Sequence, residues 1–342
     1  MKMLSFATSR SICALALGCL LLLSGGTGMA QDGKSVRYAR GTWDSFWVGG
    51  YVVQVGLERL GYKVEPPLTL NMTAIYSAMS DAQVAFTVDG MFPNQADVAK
   101  KFEAAVVKVG PISSPASVAG YLIDKKTAEK YGIQYLDQLV DPKVAALFGE
   151  GGKARMVGVD PTWSKGTLDG TAADLKNTGL EQTVEMQSGS YDMIMADTIA
   201  RYNAGKPVLI FSWYPNAYTL RLKPGTDLVW LSMRPGKARE RDGWGTGEIA
   251  GCAVSGPTCY GVNPSDYTVM ANKKWLADNP RAAKFLTLVR FPMSDRVTQN
   301  AKMGQPGQKT DAAIRRHAEE WIAANSAKFD EWIEQAKAAG PK

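Results

Sequence analysis

Aromatic rings at strand ends, rather than nucleophiles or acids, are the side chains of this chain best placed to do chemistry. Trp43 and Trp47, with Phe46 between them, begin the first helical stretch just after a first strand. Trp163 lies in the run Asp160-Pro161-Thr162-Trp163-Ser164-Lys165-Gly166, directly after a strand, and Trp213 and Tyr214 end a buried strand just before Pro215. In α/β sheets, ligands bind in the crevice beyond the carboxyl ends of strands. Three strand ends, each offering a tryptophan, predict an aromatic box. A methylated ammonium has no N–H to donate, so hydrogen bonds cannot recognise it. Its diffuse charge is drawn instead to the faces of indole and phenol rings, at about 0.5–2 kcal/mol per ring. A carboxylate on the same ligand needs donors. The backbone N–H groups of Ser164, Lys165 and Gly166 open a helix whose dipole favours an anion, and Lys165 adds charge. Simple packing of buried aromatics is the competing account, and the residues alone leave both open.

Catalytic constellations fall short. The chain has one histidine, His317, beside Arg315, Arg316 and Glu319 on an amphipathic helix. There it reads as a solvated helix residue, with no serine or cysteine partner in a triad pattern. GxSxG, HExxH and Walker patterns do not occur. The glycine cluster at 149–152 reads as a surface turn, and Asp192 and Asp197 read as solvated carboxylates. Nothing in the pattern calls for a cofactor, and an enzyme is not expected.

The elements that hold these residues begin after a targeting segment. Lys2 and Arg10 precede an apolar run at 11–23, and Gly28-Met29-Ala30 supplies small residues before Gln31, which predicts a cleavable signal peptide over 1–30 and a periplasmic mature chain. Of the 342 residues, 312 then remain, more than one core usually serves, so two domains or lobes are expected. Two of the +6 charges sit in the signal and the rest are dispersed without a basic block, which argues against nucleic-acid binding. Cys13 and Cys19 leave with the signal. Cys252 and Cys259 remain, and an oxidising compartment favours a disulfide between them over two free thiols. Two thiolates with a remote histidine are too few ligands for zinc.

Short apolar runs alternate with amphipathic stretches, the pattern of an α/β protein with a mostly parallel sheet. Strands are predicted at 35–40, 62–65, 82–88, 118–123, 156–159, 208–213 and 227–231. Helices are predicted at 45–60 (ending at Gly61), 167–178 and 191–204, and throughout the chain after 273. The Gly- and Pro-rich stretch 234–264 reads as a long loop. Trp230, and the helical aromatics Trp275, Phe285, Trp321, Phe329 and Trp332, read as core.

Several segments carry a family resemblance. SYDMIMADTIARYNAGKPVLIFSWYP (190–215), GYLIDKKTAEKYGI (120–133), LERLGYKV (57–64), ANKKWLADNPRAAKFL (271–286) and WIAANSAKFDEWIEQA (321–336) resemble the glycine betaine/proline betaine-binding proteins of ABC importers. The likeness covers nearly the whole mature chain. It implies a type II periplasmic binding fold, with one lobe from 31–122 plus 270–342 and a second from 123–269. A two-segment hinge would join the lobes, crossing near 121–125 and 268–273, with the ligand cleft between them.

The resemblance also implies a cage of three tryptophans around a trimethylammonium group, and Trp163 and Trp213 match two of them. At the third, the usual W-x-P followed by a histidine is replaced by Met91-Phe92-Pro93-Asn94-Gln95, so Met91 stands at the tryptophan and Gln95 at the histidine. Trp43 or Trp47 could fill that wall, or Phe92 could turn into it, and Asp89 either faces a cation or caps a turn. The partners implied are a betaine-type ligand, an ABC permease and its ATPase, bound by a monomer. Choline, carnitine or taurine are alternative ligands, and a sensor subunit or, less favoured, a periplasmic enzyme are alternative roles.

Overall fold

The computed structural model describes residues 35–340 except 162, 164, 235–236, 238–245 and 257; the signal-peptide expectation over 1–30 lies outside the described residues. One nine-stranded sheet organises the chain. Its order is Leu68–Thr69, Tyr38–Arg40, Phe86–Phe92, Asn263–Asn272, Val106–Asp124, Leu209–Tyr214, Ala154–Val157 and Val184–Gln187, with Leu228–Trp230 also paired to Val106–Asp124. At each end of this order the strands run parallel, as the strand–helix alternation predicts. In the middle they do not. Asn263–Asn272 is antiparallel to both of its neighbours, and Val106–Asp124 is antiparallel to Leu209–Tyr214. The sheet is therefore mixed, because these two long strands carry the chain out to the second half and back.

Two principal cores flank that pair of strands. The first gathers Tyr38, Val52, Phe86, Val269, Phe285, Trp321 and Phe329, with a smaller cluster around Trp43, Ile75, Tyr76 and Met79 beside it. The second gathers Leu122, Met156, Ile199, Ile210 and Trp230. On the outgoing strand Ala116 belongs to the first core and Ala119 to the second. On the return, Val262 belongs to the second and Tyr267 to the first.

Local sequence explains the elements nearest the cleft. Helix Trp47–Arg59 is apolar on nearly every face and is buried from Val48 to Leu57, as an all-round apolar helix must be. Gly61, at φ 89°, turns the chain out of it in the left-handed region. Gly56 is required by packing, since a Cβ there would lie 2.0 Å from the Phe285 ring. Helix Met72–Ser80, which composition alone does not announce, is capped by Asn71, whose side chain accepts from the Ala74 N–H at 2.9 Å. Asp124 caps helix Lys125–Tyr131 and also accepts from the Val208 N–H.

The carboxyl-terminal aromatics Phe285, Trp321, Phe329 and Trp332 pack in the first core as expected. His317 does not follow expectation. It is buried, its Nε2 lies 2.9 Å from Gln308 Oε1, and it shares the core-facing stripe of Ile314, Ala318 and Trp321 on helix Asp311–Ala324. The 3.6-residue period places it there; its polarity alone suggested solvent. Within 234–264 the described residues contain a short antiparallel ribbon, Thr246–Glu248 with Thr258–Tyr260, and a disulfide joins Cys252 to Cys259. Backbone bonds from Trp230 to Gly251 and from Ala253 to Trp230 hold that loop against the sheet.

Candidate functional site

The cleft draws on several chain segments, many of them at the ends of strands. After Tyr38–Arg40 the chain turns at Gly41, against which the Trp43 ring packs so closely that a Cβ would meet it at 2.6 Å. The Gly41 N–H donates to Asp89 Oδ2 at 2.7 Å and the Gly41 carbonyl accepts from Trp47 Nε1 at 3.0 Å. Asp89 is thus a buried cap of this turn, and burial pushes its carboxyl up to about 6 against the opposing effects of the Gly41 N–H, Arg40 and Arg296. The end of Phe86–Phe92 contributes Met91, Asn94 and Gln95. Gln95 is buried, donating to the Asp89 carbonyl at 3.0 Å and accepting from the Tyr76 hydroxyl at 3.3 Å.

From the second core come Trp163, Tyr191 and Trp213. Trp163 follows strand Ala154–Val157 and stands two positions before the start of helix Lys165–Thr178. Tyr191 opens helix Tyr191–Asn203, and its hydroxyl donates to Ser212 Oγ at 2.8 Å. Trp213 lies near the end of Leu209–Tyr214, where its carbonyl is held by Asn216 Nδ2 and Thr219 Oγ1. These three rings meet. The Trp163 centroid is 5.0 Å from those of Tyr191 and Trp213, and Tyr191 is 5.2 Å from Trp213, with interplanar angles of 47°, 84° and 38°. Tyr218 extends the cluster, its centroid 5.8 Å from Tyr191. Burial raises the hydroxyls of Tyr191 and Tyr218 well above the ordinary phenol value, so both stay neutral.

Two cavities adjoin these rings and share Trp43, Trp163 and Trp213. The inner one, about 60 Å³, is lined mainly by apolar groups, including Met91, Phe211 and Tyr267, with Asn94 and Gln95 at one side. The outer one, about 380 Å³, is mixed: Asp44, Asp160, Asp192, Tyr218 and Lys309 face it, together with Trp47. Apolar walls with a few convergent polar groups are the usual makeup of a small-molecule site.

The structure therefore brings Trp43, Met91, Gln95, Trp163 and Trp213 to one cavity, and Trp47 to the outer one. The Trp47 ring is covered by the Arg40 guanidinium, 3.9 Å from its centroid. Phe92 and Tyr214 line neither cavity; the ammonium of Lys108 lies 4.1 Å over the Phe92 ring. Ser164 lies outside the described residues, and Lys165 opens its helix as the first helical residue. Tyr191, Tyr218, Tyr267, Phe211 and Asn94 were not anticipated. Tyr191 carried a signal, since it follows Ser190 at a predicted helix start, where a side chain faces the strand ends.

A mixed α/β sheet with two cores, crossed by two long strands and bearing an aromatic cleft where they meet, is the type II periplasmic binding protein fold. The chain belongs to the family described as the substrate-binding domain of ABC-type glycine betaine transport systems, whose model matches residues 34–324. It is 35% identical over 342 aligned residues to the glycine betaine-binding periplasmic protein OusX of Dickeya dadantii (strain 3937), covering 96% of this chain and 99% of that one. It is 36% identical to the glycine betaine/proline betaine-binding periplasmic protein of Escherichia coli (strain K12), covering 84% and 86% of the two chains.

Solved structures agree on the fold. Lactococcal OpuAC, closed on glycine betaine, superposes with a TM-score of 0.66 at 16% identity, covering 88% of this chain and 99% of that one. An ABC-transporter choline-binding protein in complex with choline superposes with a TM-score of 0.66 at 14% identity, covering 89% and 96%.

Proposed function

We propose that this protein captures a small quaternary-ammonium zwitterion, glycine betaine or proline betaine first, and hands it to a membrane permease driven by an ATPase. Binding involves no bond-making. The observation that carries this reading is the mutual approach of Trp163, Trp213 and Tyr191 to within 5.0–5.2 Å at tilted angles. All three rings line the outer cavity, and several aromatic rings around one volume suit a cation that cannot hydrogen-bond. Trp43 lines the same inner cavity as Met91 and takes the part of the missing third tryptophan.

The protein acts after export by a signal over 1–30, as a monomer. The lobes 31–122 with 270–342 and 123–269 close on the ligand, and the backbone at 164–166 receives its carboxylate. Ligand contacts to both lobes favour the closed state, because a ligand shifts an equilibrium only by its differential affinity. Choline is the second reading, favoured by the carboxylates of Asp44, Asp160 and Asp192, which among the described residues face the outer cavity with Lys309. Calorimetric titration with glycine betaine, proline betaine, choline, carnitine and taurine tests both. Tight binding of either betaine supports the first, choline alone supports the second, and taurine alone, with no quaternary-ammonium ligand bound, overturns both.

A further inference from the structure

Three rings of the site, Trp163, Trp213 and Tyr191, have on themselves or on a sequence neighbour a polar tie to the other side of the cleft. The Trp163 carbonyl accepts from the Met72 N–H at 3.3 Å, and Met72 belongs to the cluster beside the first core. Trp213 Nε1 donates to Ser45 Oγ at 3.3 Å. Ser45 is braced in turn: its Oγ lies 3.3 Å from the Tyr267 hydroxyl, and the Tyr267 ring packs under the buried Arg296 guanidinium, 4.6 Å from its centroid. Arg296 donates to the Ala116 carbonyl, where the outgoing strand passes from one core to the other. At the cleft mouth, Lys309 pairs with Asp44, the neighbour of Trp43, and at 3.4 Å with Asp192, the neighbour of Tyr191. One ammonium thus spans a carboxylate from each side.

We propose that Lys309 and Ser45 are positioning residues of the cleft, which tie the cage to the opposite half so that closure and cage assembly are one event. The proposal rests on the ligand reading above only for the identity of what is enclosed. Burial alone would lower the Lys309 ammonium, but Asp44 and Asp192 raise it above the ordinary lysine value, so it is charged whenever the cleft shuts. Asp192 is 62% exposed, so its ion pair is a weak one. A weak tie is what a binding cleft can use. It raises the closed fraction, and apparent affinity scales with that fraction, without locking the protein shut.

The test uses the full exported chain carrying Lys309→Met, Lys309→Arg or Ser45→Ala. The closed fraction without ligand is read by energy transfer between dyes placed at the exposed positions Glu103 and Glu181. Glycine betaine release is read by stopped-flow tryptophan fluorescence. Lys309→Met is expected to lower the closed fraction and speed release up to about fivefold, an effect that disappears at high salt. Lys309→Arg restores both, and Ser45→Ala acts similarly without the salt dependence. An unchanged closed fraction in both Lys309→Met and Ser45→Ala overturns the proposal, as does a lowered melting temperature with closure unaltered. A closed fraction that responds in a protein binding no quaternary-ammonium ligand upholds the positioning role and overturns the ligand reading instead.

Discussion

Trp163→Ala is the sharpest probe of the cage, because this ring faces both cavities and is only partly buried. Trp213 is 9% exposed and tied into the second core, so its loss would confound binding with folding. Removing a buried tryptophan costs about 3–5 kcal/mol of stability. At Trp163 the expected loss is divided differently. One ring of cation–π attraction is worth about 0.5–2 kcal/mol, and the lost apolar contact with the ligand's methyl groups adds about 1 kcal/mol. Together these predict about 1.5–3 kcal/mol, a rise in Kd of roughly 10- to 150-fold. Calorimetric titration with glycine betaine measures it. The same titration with the tert-butyl analogue, in which carbon replaces nitrogen, separates charge from shape. Wild-type protein should prefer the betaine, and Trp163→Ala should erode most of that preference. An unchanged betaine affinity, or an analogue bound as tightly as betaine by the wild type, would refute the cage.

Three further outcomes follow from the packing and the buried charge. Gly56→Ala drives a methyl group into the Phe285 ring, so it should destabilise the protein by about 1–3 kcal/mol in denaturant melts and leave betaine affinity unaltered. Replacing Cys252 and Cys259 together by serine opens a short loop, for which chain entropy predicts a loss of about 2–3 kcal/mol, seen as a lower unfolding midpoint with the cage intact. Asp89 has a folded value of about 6 against 3.8 unfolded, because burial disfavours its charge. Its raised value means the folded state holds the proton more tightly. Asp89 therefore leaves stability unaffected below about pH 4 and costs progressively more, up to about 3 kcal/mol, as pH climbs to 6. Asp89→Asn keeps an acceptor for Gly41 and should match the wild type near pH 4 while exceeding it at pH 7; a constant difference across that range would sink this account.

The sequence was most legible where one residue's chemistry determines its place. Helix Trp47–Arg59 and its stop at Gly61 follow from apolar composition and a glycine free to adopt positive φ. Trp163 and Trp213 stand out in the sequence because they fall beyond or at the carboxyl ends of strands, and both line the two cavities, whereas Trp230, which also ends a strand, is buried in the second core. The outgoing strand Val106–Asp124 was legible only in its last third. Its middle, Gly110 to Ser117, holds glycine, proline and serine, which read as loop, and its strand character comes from pairing with Asn263–Asn272 some 150 positions away. Asn263–Asn272 itself was hidden for the same reason, at the end of a Gly- and Pro-rich stretch.

The cage shows the same division at the level of single atoms. The identity of a ring can be read from the sequence, but its orientation depends on what its edge touches. Ser45 stands one residue from Phe46 and reads as a helix-start serine, yet its hydroxyl meets an indole 168 positions later. Tyr267 falls on a strand the sequence conceals, yet it stacks on Phe46 at 4.4 Å and braces that hydroxyl. A substitution at Ser45 would therefore alter the aromatic wall without touching an aromatic residue. On the proposal above, a Ser45 variant that keeps every tryptophan would leave the recognised chemistry as it is and change how firmly the Trp213 ring is held across the cleft.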